Sequence, residues 1–321
     1  MKTLKKSAAV VGIILLIFAI IAMPKIAVSA ALEGFTVWFL YVLPSLFPFF
    51  FLSGLLSEFD VIEKLCAKLS AFTQKTFGLS SIALYAGAMS YVSGYPIGAK
   101  ITENLYREKL ILPEETLTCA LLSSTSGMVF VIGTTGGILL GNSLYGVIIY
   151  LCHVFGAIIT AIIFKPKVKN RSFCNRILYR KIDKTLFELM FDSVVSILCV
   201  GGYIALFYVL YEVLSTLKIL LPFEKGLSFI LYPIGKDLGK DVLSGIFECT
   251  QGIKKVSTNL KNKKAAAIIA CGLLSFGGLS INMQNLSFLS KTNVKAKSYL
   301  FGKVIHFAIS TFLISLVFLF V

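Results

Sequence analysis

Charge is what this sequence is short of. Only 15% of its 321 residues are Asp, Glu, Lys or Arg, while 57% are hydrophobic and the mean hydropathy is +0.86. A soluble domain of this length carries roughly 25% charged residues, so the shortage excludes one and points to a polytopic membrane protein. Acids are scarcer still, 16 against 31 Lys and Arg. The resulting charge of +15 is no sign of nucleic acid binding, because the basic residues lie largely in loops between apolar spans. There they set topology and meet anionic headgroups of the bilayer. The seven cysteines (66, 119, 152, 174, 199, 249 and 271) form no CxxC pair and no metal-ligand spacing. Most stand in apolar segments, as small buried hydrophobes rather than a disulfide framework. No nucleotide-binding loop or nucleophile elbow is present, which argues against an ATP-driven pump and against an enzyme. No cofactor or resident metal is expected; a coupling Na+ or H+ is left open.

What is present is a series of apolar runs with interruptions. Lys2, Lys5 and Lys6 precede a run from Ala8 to Met23, expected to be an uncleaved first helix with its N-terminus in the cytoplasm. Cleavage after Val28-Ser29-Ala30 is the alternative. A second span covers about Leu32 to Leu56, with Pro44 and Pro48 expected to kink it. From Glu58 to Lys75, apolar residues spaced three to four apart alternate with charges, predicting an amphipathic helix in the interface. Further spans are expected over Leu144–Phe164, Leu186–Leu214 and Tyr299–Val321. The loop from Lys165 to Lys184 is the most basic in the chain and is cytoplasmic by the positive-inside rule.

Two segments are too short to cross and are broken by small residues. Leu79–Tyr106 contains Ser93-Gly94-Tyr95-Pro96-Ile97-Gly98-Ala99-Lys100, and Asp237–Leu260 contains Gly245-Ile246-Phe247-Glu248-Cys249-Thr250-Gln251-Gly252. Each is predicted to be a re-entrant hairpin. Irregular backbone at membrane depth survives only where protein buries it or water reaches it, so both turns are candidate walls of a solute site. Ser93, Gly94, Tyr95, Pro96 and Gly98 offer freed backbone groups, or else close glycine packing. Lys100 offers a positive charge to an anion, or else snorkels. A carboxylate at membrane depth is costly, which singles out Glu248 with Thr250, Gln251 and Gly252; a structural bond closing the hairpin is the bland reading. Glu114–Leu140 and Ala265–Leu289 are predicted broken spans. Their uncharged candidates are Ser123, Ser124, Thr125 and Ser126, and Ser275, Gly277, Gly278, Ser280 and Asn282, with ordinary interhelical packing as the alternative. His153 and His306 offer a proton relay or simply packed, hydrogen-bonded residues.

The order of elements repeats. Cys119–Ser123 matches Cys271–Ser275, Ser93-Gly94 matches Ser244-Gly245, and His153 matches His306, all at nearly one offset. Counting crossings from a cytoplasmic N-terminus, with hairpins that do not cross, makes the halves inverted, a recurring design of secondary transporters. The lysines at 254, 255, 261, 263 and 264 disagree with that orientation. The expected fold is an all-α polytopic membrane protein with an inverted repeat. Each half holds a transmembrane helix, an interfacial helix, a re-entrant hairpin, a broken transmembrane helix and a further transmembrane helix. The divisions are an N-terminal helix (1–31), a first repeat (32–164), a basic linker (165–185) and a second repeat (186–321).

Pro44-Ser45-Leu46-Phe47-Pro48-Phe49-Phe50, Ser93 to Lys100 and Phe247 to Gly252 resemble the YlbJ family of sporulation integral membrane proteins. That family is grouped with nucleoside-recognition or gate domains, whose architecture is similar to that of concentrative nucleoside transporters. The resemblance implies a role in endospore formation, in a mother-cell or forespore membrane, affecting spore heat resistance. It implies carriage of a small polar or anionic solute such as dipicolinate or a nucleoside-like compound. A non-transporting membrane scaffold needed for spore assembly is the alternative. The expected partners are the lipid bilayer, the solute and a possible second copy of the chain, with no nucleic acid.

Overall fold

The computed structural model describes residues 2–56, 64, 66, 68–166 and 185–320, and among the described residues all regular structure is helical. Helix α1 (Lys2–Ala22) precedes α2 (Pro24–Val37), a π turn (Trp38–Val42) and α3 (Leu43–Leu56). The last three form one apolar span that opens at Pro24, not near Leu32. Proline at the first helical position costs no hydrogen bond and can start a helix. The π turn lies just before Pro44, whose ring would strike the carbonyl four residues back in an α-helix. Leu43 N–H instead reaches five residues back to Trp38 O, widening the turn. Helix α4 (Ser70–Phe77) ends on Gly78 at φ +67°. Of the predicted interface helix over Glu58–Lys75, residues 58–63, 65 and 67 lie outside the described residues and the part from Ser70 on falls in α4; the basic linker falls largely outside them.

Helices α5 (Ala83–Ser93) and α6 (Ile97–Arg107) follow, 11 residues each. At about 16 Å apiece neither crosses a hydrocarbon core of about 30 Å. The chain turns between them at Gly94, with φ +82°, and at a cis Tyr95–Pro96 bond. Helix α7 (Thr116–Leu122) stops at Ser123, the chain runs without helix through Ser124–Gly127, and a π-helix (Phe130–Leu139) follows. Asn142 then caps α8 (Ser143–Ile163), its side-chain oxygen accepting from Leu144 N–H at 3.0 Å. The second half brings α9 (Leu186–Thr216), α10 (Leu221–Leu231), α11 (Leu238–Phe247) and α12 (Cys249–Asn259). Helices α13 (Lys263–Phe276) and α14 (Gly278–Leu289) then flank Gly277 and Gly278, at φ +84° and +63°, and α15 (Ala296–Phe320) ends the series. Among the described residues, five helical stretches are long and apolar enough to cross a membrane: Pro24–Leu56, Ser143–Ile163, Leu186–Thr216, Lys263–Leu289 and Ala296–Phe320.

Two pairs of long helical stretches, α2–α3 with α9 and α8 with α15, pack against each other and run in opposite directions. Gly34 lies on Ala205, where an added Cβ would come within 2.8 Å of the Ala205 Cα. Trp38 covers Gly201 and donates its indole N–H to Ile197 O at 3.1 Å, and Gly54 meets Leu189. Numbers rise along α2–α3 as they fall along α9. The same holds for α8 and α15: Tyr145 meets Phe318, His153 meets His306 and Phe164 meets Phe301, with ring centroids 5.1, 4.9 and 6.1 Å apart. Lipid tails are as apolar as leucine, so burying apolar surface does not drive such contacts in a bilayer; close van der Waals packing at small residues does.

Candidate functional site

All four helix breaks meet at the centre. Gly94 sits on Gly127 and Gly98 on Ser123, so closely that a Cβ at either would collide with backbone of the first broken span. The Tyr95 hydroxyl reaches Ser124 O at 2.9 Å and Leu274 O at 3.2 Å, touching both broken spans. On the other side Gly278 lies against the second hairpin, 3.0 Å from Cys249 N for an added Cβ. Gly245 and Gly252 let α11 and α12 touch, backbone to backbone. The second hairpin breaks at Glu248, so Ser244 lies inside α11, about a turn before the break, rather than opening the turn as Ser93 does.

Glu248 is 1% exposed and caps α12. Its Oε2 accepts from Gln251 N–H at 2.7 Å and from the Thr250 hydroxyl. A carboxylate there satisfies orphaned donors and meets the positive end of the helix. Tyr95, Ser126, Gly127, Glu248, Thr250 and Gln284 line a gap of about 40 Å³. Such a volume takes a water or a bare cation, whereas a small organic solute needs roughly 300 Å³ or more.

Behind the gap is a polar network in which every charged or aromatic member is buried. Lys303, 0% exposed, donates to Tyr95 Oη at 3.0 Å and Ser124 O at 2.9 Å and approaches His306 Nδ1 at 3.3 Å. His306 Nε2 bonds His153 O at 2.8 Å. His153 in turn accepts Ser126 N–H at 2.9 Å and meets Ser275 Oγ at 2.8 Å. Tyr299 Oη meets Ser124 Oγ at 2.6 Å and receives Asn285 Nδ2 at 2.8 Å.

Room for a solute lies beside the first hairpin. A cavity of about 540 Å³ opens between α3, α5–α6, α9 and α14. Phe50, Tyr85, Tyr203 and Phe288 supply aromatic walls, and Ser53, Asn104, Ser193, Ser196 and Gln284 supply polar groups. Lys100 also lines it, with no hydrogen bond or ion-pair partner among the described residues, and Pro96, Glu108 and Asp192 complete its polar rim. Val200 and Gln284 line both the cavity and the gap.

The predicted site residues therefore divide. Gly94, Tyr95, Gly98, Ser123, Ser124, Ser126, Glu248, Thr250, Ser275 and Gly278 come together at the breaks. Ser93 bonds Ser53, Thr125 meets Ser90 at 3.1 Å, and Asn282 folds onto Phe276 O and Gly278 O at 3.0 and 2.7 Å. Ser280 pairs with Gln284, and Gly277 supplies only the left-handed turn. Pro96 and Lys100 face the larger cavity. Gln251 points away from the turn to Glu212 on α9, 3.1 Å distant, and Gly252 is a packing residue. Sequence reasoning missed Lys303, Tyr299 and Asn285. The signal was there: 299, 303 and 306 stand at i, i+4 and i+7, one helical face.

The helices and the enclosed polar centre define an integral membrane protein with several crossings. The chain is 28% identical to the sporulation integral membrane protein YlbJ of Bacillus subtilis (strain 168) over 312 residues, covering 89% of this chain and 76% of that one. This likeness supports a YlbJ-like family for the chain. No family model matches it, and no solved structure does.

Proposed function

We propose that the protein is a secondary carrier of a small polar or anionic solute acting in endospore formation, built as an inverted repeat with two re-entrant hairpins. The observation that carries this reading is the antiparallel pairing of corresponding helices, α2–α3 with α9 and α8 with α15, around four helix breaks that meet at one centre. Inverted halves can exchange conformations, which opens one centre to either side in turn. The two sides differ here, as that requires. Next to the first hairpin is the 540 Å³ cavity. On the second hairpin, α12 is tied down: Lys254 to Glu33 at 3.3 Å and Lys255 to Glu212 at 3.1 Å. The lysines that disagree with the expected orientation include these two.

The solute class follows from the cavity lining. Aromatic walls, amide and hydroxyl groups and Lys100, which has no partner among the described residues, suit a compact molecule with a negative or strongly polar edge. Dipicolinate and nucleosides are the first compounds to test, the relative's role in sporulation favouring the former. The test is exchange of labelled dipicolinate or uridine across liposomes containing the purified protein. The carrier reading predicts exchange that Lys100→Gln or Glu248→Gln lowers at least tenfold. Absence of exchange for both solutes, with spore heat resistance unchanged in the same two variants, would instead favour a scaffold without transport.

A further inference from the structure

Lys303 sits wholly enclosed with three acceptors around its ammonium, Tyr95 Oη, Ser124 O and His306 Nδ1, and none of them is a carboxylate. Among the described residues no ion pair reaches it. An enclosed cation without a counter-charge is costly, and a methionine would fill the same space without that cost.

The bond directions fix the state of both imidazoles. A carbonyl only accepts, so His306 Nε2 carries a hydrogen toward His153 O, and its Nδ1 is left as a base facing Lys303. A backbone N–H only donates, so His153 Nε2 is the acceptor for Ser126 and its Nδ1–H points to Ser275 Oγ. The two histidines are thus opposite tautomers, and a single open base, His306 Nδ1, lies at the end of a Lys303 N–H.

We infer that Lys303 and His306 form a proton-binding site whose occupancy is tied to the first hairpin turn, so that a proton is the coupling ion of the carrier. The inference rests on the carrier reading above. The step is a proton transfer alone: an Nζ–H bond breaks, the lone pair of His306 Nδ1 takes the proton, and the lysine is left a neutral amine with two N–H bonds. The amine's two N–H bonds still serve Tyr95 Oη and Ser124 O, and its lone pair accepts the new His306 Nδ1–H, so all three contacts persist. The two that tie the hairpin turn and the first broken span to α15 lose the ammonium's charge and weaken. Loss of that proton to water leaves amine and imidazole both neutral, the state expected near pH 8. Acidification returns one proton, which His306 Nδ1 holds while Lys303 stays an amine, so the pair never carries two charges. The other titratable groups facing it are Tyr299 on α15, His153 on α8, Tyr95 on the hairpin turn and Cys249 on α12, with Glu248 beside that thiol.

The chain has only two histidines, so the full-length protein labelled with 15N-histidine in lipid bilayers gives two imidazole signals. At neutral pH they should show one Nδ1–H and one Nε2–H tautomer, assigned with His153→Gln. Between about pH 8 and about pH 5, the window in which imidazoles commonly titrate, the Nε2–H signal alone should convert reversibly to imidazolium. Tyr95→Phe, which removes one acceptor of Lys303, should move the midpoint of that change at least threefold in proton affinity. Two imidazoles that stay neutral throughout in folded protein, or a midpoint that Tyr95→Phe leaves in place, overturns the inference. No solute enters this measurement, so its failure leaves the carrier reading to be decided by exchange.

Discussion

At the scale of single residues, the centre depends on side chains that are missing as much as on those present. Gly98 presses on the Ser123 carbonyl, so Gly98→Ala must push α6 and the first broken span apart. Overpacking of this kind costs about 1–3 kcal/mol, and the midpoint of thermal unfolding in detergent should fall accordingly. Gly202 on α9 has nothing within 4 Å of an added Cβ; Gly202→Ala should leave that midpoint unchanged or raise it slightly, since alanine favours helix. Equal effects at both positions would contradict the packing described. Glu248 makes a similar pair of variants. Glu248→Ala removes the cap of α12 and should cost about 1 kcal/mol of stability, while Glu248→Gln keeps an acceptor oxygen and should cost less. The same thermal scan checks the order.

At the scale of elements, the second hairpin is held to α2 and α9 by side chains, while the first faces open space. The Lys254–Glu33 pair is partly exposed, so as an ion pair it contributes little stability; its value is positional. A chain with Glu33→Cys and Lys254→Cys, its native cysteines replaced by alanine, should be joined by a short bifunctional maleimide, whose reach replaces the two long side chains. On the carrier proposal the cross-linked protein should lose exchange at least tenfold, because α12 can no longer leave α2. Full exchange by cross-linked protein would show that the hairpin need not move.

The elements were legible in the sequence wherever a break has a chemical cause. Gly94-Tyr95-Pro96, Ser123–Gly127 and Gly277-Gly278 interrupt apolar runs with residues that cannot or need not continue a helix, and the structure breaks at each. The start of the Pro24–Leu56 span was less plain, since Lys25 and Glu33 sit within it and dilute the apolar signal. The site was legible only in part. A residue's distance from a turn does not fix the way it faces, which is why Gln251, three positions beyond Glu248, ends on Glu212. Lys303 was hidden for another reason: in an apolar terminal helix a single lysine passes for an interface anchor until the contacts from Tyr95 and Ser124 are known. The larger cavity joins α3, α6, α9 and α14, far apart in sequence, and no local pattern announces it.

At the scale of the whole molecule, the central claim is that the halves are inverted. If the hairpins turn back and the remaining stretches cross, the end of the first hairpin and the end of the second lie on opposite faces of the membrane. Lys109, beyond α6, and Lys261, beyond α12, are both exposed and mark those two ends. The direct measurement is labelling of single cysteines at 109 and at 261, in a chain otherwise free of cysteine, with a membrane-impermeant maleimide added to intact cells and then to inverted vesicles. The inverted arrangement predicts that one position reacts only in intact cells and the other only in inverted vesicles. Labelling of both from the same side would contradict it.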